Sequence, residues 1–308
     1  MRFAILFPGQ GSQHVGMGAD LFDARPDLLG DVADEVIGWS LRDVCLNGPQ
    51  EELTRTDRAQ VALFALGYVA WTEFSKHLEI APVAAAGHSL GEYTALAAAG
   101  AFDYRTALRL VSIRGLAMAA AADREPSGMA ALIGVDEEKA DAISAERRAV
   151  GGRIWVANIN APGQIVVAGG QADIDWIVAK GAGFGVRRVI PLNVSGAFHS
   201  PFMASAASEV GIALQDIAVA PFAFSVYANV TGRPYPEGQV ADLLGRQVVE
   251  PVRFAETLAN MDADAFVHVG PGDVTAGMAR RTVKDATVMV AGDTTTFAAT
   301  ARRLNEER

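Results

Sequence analysis

The 308-residue chain has a single cysteine, Cys45. That excludes an internal disulfide framework and suits a reducing compartment. Long hydrophobic runs are lacking too: the longest, Val61 to Trp71, falls well short of the roughly 20 residues of a membrane-spanning helix, so a buried helix is expected there. After Met1 and Arg2 only five apolar residues precede Pro8. That is too short for a secretory signal, and a cytoplasmic location is expected. Positive charge is in deficit. With 26 Lys and Arg against 36 Asp and Glu, the net charge of −10 argues against nucleic acid as a partner, because such binding rests on neutralising phosphates. The chain has no Gly-Lys-Ser/Thr loop and no three-glycine dinucleotide fingerprint, which speaks against a nucleotide site. No paired-histidine spacing accompanies the lone cysteine, so no metal site is expected. Half of the residues are apolar, ample for a sizeable core in one large or two moderate domains.

What is present centres on Ala86-Gly87-His88-Ser89-Leu90-Gly91-Glu92. The small apolar run Val83 to Ala86 reads as a buried strand of a parallel sheet, and the alanine-rich stretch Glu92 to Ala99 reads as a helix with Gly100 at its C-cap. A strand turning sharply into a helix forces strained backbone angles on the corner residue, and glycine at i−2 and i+2 lets the chain pack there. Ser89 is therefore expected as a nucleophile, with the Leu90 N–H at the helix N-terminus as first donor to an oxyanion. A capping serine in a glycine-rich turn is the plain structural alternative.

A second glycine-rich loop, Pro8-Gly9-Gln10-Gly11-Ser12-Gln13, follows the strand Phe3 to Phe7. Ligands of open α/β sheets gather at the carboxyl edge, so the Gln10 N–H is a candidate second oxyanion donor. Of the five histidines, His88 sits on the strand beside the nucleophile, where neighbouring side chains point to opposite faces, and is poorly placed to take its proton. His77 ends a helix and His268 lies in the apolar strand Ala265 to Val269; both read as structural. His199 stands in a loop of small residues, Ser195 to Phe202, after the strand Val189 to Leu192, and is the candidate base. Arg114 falls on the apolar stripe Ala107, Leu110, Val111, Met118 of the helix Tyr104 to Ala122. A buried guanidinium needs an anion, either an internal Asp or Glu or the carboxylate of a substrate.

After the breaker-rich stretch Asp123 to Gly128 the order is a strand Met129 to Val135, a helix 136–147, strands Ile154 to Asn160 and Gln164 to Ala168, a helix 173–180 and a strand Val186 to Leu192. This is the β-α-β-β-α-β order of a ferredoxin-like unit. The expected architecture is α/β: an α/β-hydrolase-like large subdomain (1–125 and 195–308) with a parallel sheet and a nucleophile elbow, and an inserted ferredoxin-like small subdomain (126–194). An active site between the two bodies would enclose a substrate and exclude water.

Taken together, Phe7-Pro8-Gly9-Gln10-Gly11-Ser12-Gln13, Gly87-His88-Ser89-Leu90-Gly91-Glu92-Tyr93, Arg114-Gly115, Phe198-His199-Ser200-Pro201 and Arg246-Gln247 resemble the malonyl-CoA:acyl carrier protein transacylase family, including free-standing acyltransferases related to polyketide synthase domains. Asn229-Val230-Thr231-Gly232 and Val269-Gly270-Pro271-Gly272 extend the resemblance over nearly the whole chain. It implies that Ser89 is acylated, that His199 is its general base, and that the Gln247 main chain holds His199. It further implies an oxyanion hole of Gln10 and Leu90 N–H, with Arg114 binding the free carboxylate of malonyl. In the related polyketide domains a bulky Phe just before the histidine goes with malonyl, so Ala197-Phe198 favours malonyl. The chain departs from those domains with Gly196 in place of the usual His.

The implied reaction moves malonyl from malonyl-CoA to the phosphopantetheine thiol of a holo acyl carrier protein through a malonyl-serine, with ping-pong kinetics and no cofactor. A serine hydrolase with the same elbow is the alternative; it would release free acid without a carrier protein. A non-catalytic scaffold would tolerate loss of Ser89 and His199, yet both are present. Fatty-acid synthesis, a polyketide assembly line and a malonate decarboxylase all fit these motifs. Carrier proteins are usually acidic, as this chain is, so docking needs a local basic patch. Arg280, Arg281 and Lys284 are the first candidate in sequence, with Arg187 and Arg188 second, although a solvated helix face or strand end is the favoured reading of either cluster.

Overall fold

The computed structural model describes residues 1–306, which build two sheets. Strands β1 (Phe3–Phe7) and β2 (Ala84–Gly87) lie in the first. The chain then builds the second sheet from β3 (Ser127–Ile133), β4 (Ile154–Ala161), β5 (Gln164–Gly170) and β6 (Arg188–Pro191). It returns to the first sheet with β7 (Ser225–Ala228), β8 (Arg233–Pro234), β9 (Ala265–Val269) and β10 (Thr287–Ala291).

The first sheet has the order β10-β9-β1-β2-β7-β8, parallel except for the two-residue edge strand β8. Every residue of β1, β2 and β9 is buried, as expected of a parallel sheet covered by helices on both faces. Alternation decides which core each side chain enters. Phe3, Ile5 and Phe7 pack with the helix Thr56–Ser75 in the main core, while Ala4 and Leu6 join Phe254, Phe266 and Met278 behind the sheet. The apolar run from Val61 is the centre of that helix, and among the described residues no helix is long and apolar enough to cross a membrane.

The second sheet is antiparallel with the order β4-β5-β3-β6, the ferredoxin-like arrangement. Its alternation also splits in two. Ala130, Leu132, Ile165 and Val167 face the helices Glu137–Ala149 and Gln171–Lys180, whereas Met129, Ala131, Val166 and Ala168 belong to the main core. One face of the small sheet thus closes over the large body. Observed bounds differ from the sequence reading by a few residues: β3 begins two residues earlier, at Ser127, and β6 shrinks to Arg188–Pro191. Strand β4 carries two register shifts, between Val156 and Asn158 and between Ile159 and Ala161. There it bonds the other body, Ile159 N–H donating to Val252 O at 2.8 Å and Val252 N–H to Ala157 O at 2.9 Å. Bulges of this kind re-aim side chains, and Asn158 and Asn160 line the cavity between the bodies.

Candidate active site

The parallel register sets Phe7 against Gly87, so the loops leaving β1 and β2 emerge side by side at the carboxyl edge of the sheet. Their contact leaves no room for side chains. A Cβ on Gly87 would lie 1.8 Å from the carbonyl carbon of Gly91, and one on Gly91 would lie 2.4 Å from the Phe7 oxygen. The corner residue between them, Ser89, has φ 52°, and His199 has φ 56°. They are the only non-glycine residues in the left-handed region among those described. Such a backbone costs about 1–3 kcal/mol per residue and persists only where the surroundings impose it.

The surroundings can be named. Asn229, fully buried after β7, accepts from Ser89 N–H at 2.7 Å and donates to Gly87 O at 2.7 Å, spanning the corner. Ser89 Oγ lies 2.8 Å from His199 Nε2, and His199 Nδ1 lies 2.7 Å from the main-chain oxygen of Gln247. A carbonyl only accepts, so Nδ1 carries the proton and Nε2 presents its lone pair to the serine hydroxyl. His199 is buried. Burial, and then the charge of Arg114, push its pKa down to about 3, with the Gln247 carbonyl pulling the other way. The imidazole is therefore neutral at physiological pH and able to take a proton.

Arg114 lies in the middle of the helix Tyr104–Ala122, whose N-terminus is capped by the Asp103 side chain accepting from Thr106 N–H. Its stripe turns inward as expected, leaving the side chain 1% exposed. Its partners are not carboxylates: Nη1 donates to Gln60 Oε1 at 2.5 Å, and Nη2 donates to Ser89 Oγ and to Gln247 Oε1, each at 2.9 Å. Nε is buried without a hydrogen-bond partner among the described residues. Burial lowers the guanidinium's pKa, yet an arginine stays charged. A buried cation on neutral hydrogen-bond partners, beside a histidine-paired serine at a strand-to-helix corner, sets a nucleophilic hydroxyl next to a place for an anion.

The family model for the acyl transferase domain matches residues 4–306. The chain belongs to the acyl transferase family. It is 37% identical to the malonyl CoA-acyl carrier protein transacylase of Haemophilus influenzae, over 96% of this chain and 97% of that protein. It is also 37% identical to the polyketide biosynthesis malonyl CoA-acyl carrier protein transacylase PksC of Bacillus subtilis, over 92% and 98%. Among solved structures it superposes with a TM-score of 0.93 on the malonyl CoA-acyl carrier protein transacylase of Coxiella burnetii, 30% identical, covering 99% of this chain and 98% of that one. A malonyl-transacylase described in complex with its type II polyketide acyl-carrier protein gives a TM-score of 0.92 at 34% identity, with both chains fully covered.

In this acyltransferase the sequence-derived candidates converge on one cavity of about 230 Å³. Gln10, Ser89, Leu90, Arg114, Phe198 and His199 all line it. Gln247 is behind the cavity wall at the end of the helix Val240–Gln247, and it does more than hold the histidine: its side chain joins Arg114, Ser89 O and Glu92. The remaining histidines play no part in the pair. His88 Nε2 lies 2.8 Å from Asn160 Oδ1 and His268 bonds Thr275 and Pro271 O. Gln60, Asn229 and Glu92 were not foreseen as site residues. Glu92 and Asn229 stood inside motifs that carry the resemblance, whereas Gln60, just before the apolar run, gave no signal. Among the described residues no group of three or more His, Cys, Asp or Glu could hold a metal ion.

Proposed function

We propose that this chain transfers malonyl from malonyl-CoA to the phosphopantetheine thiol of a holo acyl carrier protein, through an ester on Ser89. The observation that carries the reading is the shared oxygen: Ser89 Oγ meets the neutral His199 Nε2 on one side and the buried Arg114 guanidinium on the other. His199 Nε2 takes the hydroxyl proton as Oγ attacks the thioester carbon, and the carbonyl electrons move to oxygen. Gln10 and Leu90 N–H receive that oxyanion, each donor worth about 3 kcal/mol. Collapse expels the CoA sulfur, which takes the proton from His199, leaving malonyl-serine. The carrier's thiol then gives its proton to His199 and attacks the ester. Collapse expels Ser89 Oγ, which recovers the proton. Arg114, with Nε still unpartnered, suits the free carboxylate, and Phe198 closes the cavity over the acyl chain. No step calls on a metal or a resident cofactor. A reducing cytoplasm fits the one cysteine, Cys45, buried and pushed up to about 12.

The carrier docks on a rim to which both arginine clusters contribute. Arg281 donates to Gln164, a residue of the cavity wall, and Ile133 of β3 pairs with Gln164 on one side and Arg188 on the other. Arg188 therefore lies two strand spacings from Gln164, about 10 Å. Arg187, Arg188, Arg280, Arg281 and Lys284 are all exposed, which gives an acidic carrier a basic landing site on a chain of net charge −10. The test is intact-protein mass spectrometry after brief exposure to malonyl-CoA and then to a holo acyl carrier protein, for wild type and Ser89→Ala. A malonyl adduct that needs Ser89 and passes to the carrier is expected. Free malonate without transfer would instead establish a hydrolase.

A further inference from the structure

Two residues hold the reacting pair from behind, and both are tied to the same carboxylate. Glu92, in the first turn of the helix Gly91–Ala98, is completely buried. Its Oε1 accepts from the Asn229 N–H at 3.2 Å and from the Tyr235 hydroxyl, and its Oε2 accepts from Gln247 Nε2 at 2.6 Å. Asn229 spans the elbow at Ser89, and Gln247 supplies the carbonyl on His199. We propose that Glu92 is a positioning residue for acyl transfer: as a carboxylate it locks the residue behind the nucleophile to the residue behind the base. The proposal rests on the assignment of Ser89 and His199 made above.

Donor and acceptor bookkeeping explains why an acceptor is required at this point. Arg114 only donates, so the Gln247 amide must turn its oxygen toward Arg114 and its nitrogen toward Ser89 O and Glu92. Asn229 N–H likewise only donates. A proton on Oε2 would face the Gln247 nitrogen, and turning that amide to accept it would face its nitrogen to Arg114, breaking a contact on the residue that orients His199. A proton on Oε1 finds an acceptor only in the Tyr235 hydroxyl, which then reverses its bond, and the loss of charge weakens the hold on Asn229 N–H and Gln247 Nε2. The charged and titratable groups facing Glu92 are Arg114 from its helix, the neighbouring Tyr93, and Tyr235 after β8. Burial pushes the Glu92 carboxyl up to about 7, against the pull of Tyr235, Gln247, Asn229 and the field of Arg114.

The experiment measures malonyl-CoA acylation in single turnovers from about pH 5.5 to 9, spanning the ordinary histidine range, on wild type, Glu92→Gln, Tyr235→Phe and Ser89→Ala, with thermal melts alongside. In wild type the rate constant is expected to rise with an apparent pKa near 7, which His199, held to about 3, does not account for. Glu92→Gln, similar in size but with an amide nitrogen facing a donor, is expected to lose about tenfold or more in the acylation rate constant with half-saturation by malonyl-CoA little changed, and to lose the limb near 7. Tyr235→Phe removes one donor to the carboxylate and is expected to move the limb to higher pH. Wild-type rates and an unshifted limb in Glu92→Gln would overturn the proposal. If that variant does not fold, an unmoved limb in Tyr235→Phe does so instead. Acylation of Ser89→Ala would bring down the serine assignment itself, a distinguishable failure.

Discussion

Arg114 Nη2 lies 2.9 Å from Ser89 Oγ, so a buried cation of the cavity wall touches the proposed nucleophile. With a donor on one side of Oγ, the hydroxyl proton is left to point at His199 Nε2, 2.8 Å away. On the proposed mechanism the same guanidinium orients the nucleophile and recognises the anionic acyl chain.

Arg114→Ala should reduce kcat/KM for malonyl-CoA by about a hundredfold or more, the scale of a charge-assisted bidentate pair. Acetyl-CoA, which has no second carboxylate, should lose far less. Steady-state kinetics with both donors checks this, and equal losses would remove the recognition role. The variant should also melt lower, because Gln60 Oε1 and Gln247 Oε1 are left without their donor, at about 1–3 kcal/mol per orphaned group.

His199→Gln should slow acylation by about a hundredfold or more, and its stability should show a particular pH dependence. In the unfolded chain the imidazole takes a proton below about 6.5, whereas the folded state resists until about 3. The unfolded state therefore binds more protons in that window, and acid removes stability from wild type through this residue. Replacing His199 cancels the contribution. The gap in melting temperature between wild type and His199→Gln should become less favourable to wild type as pH falls from 7 toward 4; a constant gap would mean that His199 is not held neutral.

Gly87→Ala should fail to yield folded protein, because its Cβ would fall 1.8 Å from backbone that cannot withdraw. Gly100→Ala makes the comparison. There φ is +84° but nothing lies within 4 Å, so only the left-handed backbone penalty of about 1 kcal/mol applies. Expression and thermal melts of the two variants separate steric contact from backbone strain.

Arg188→Glu combined with Arg281→Glu should raise KM for the holo carrier protein and flatten the salt dependence of transfer, since rim charges act through encounter. Mass spectrometry of transfer at two salt concentrations checks it. Unchanged transfer at low salt would exclude this rim as the landing site.

The elbow was legible in the local pattern because Gly87 and Gly91 face one another across the Ser89 corner, four residues apart. The helix Tyr104–Ala122, its capping Asp103 and the inward face of Arg114 were legible for the same reason: period and cap are short-range properties. The β-α-β-β-α-β order of the small unit likewise followed from element sequence, with only its strand ends misplaced. What only the tertiary structure decided is where polar groups find partners. Arg114 was expected to meet a carboxylate, internal or from substrate, and its protein partners turned out to be two amides and the serine. The Gln247 side chain, Asn229 and Glu92 make their contacts across 133 to 158 residues of sequence. A side chain's hydrogen-bond partner is fixed by which loops the sheet order brings together, and no period along the chain records that.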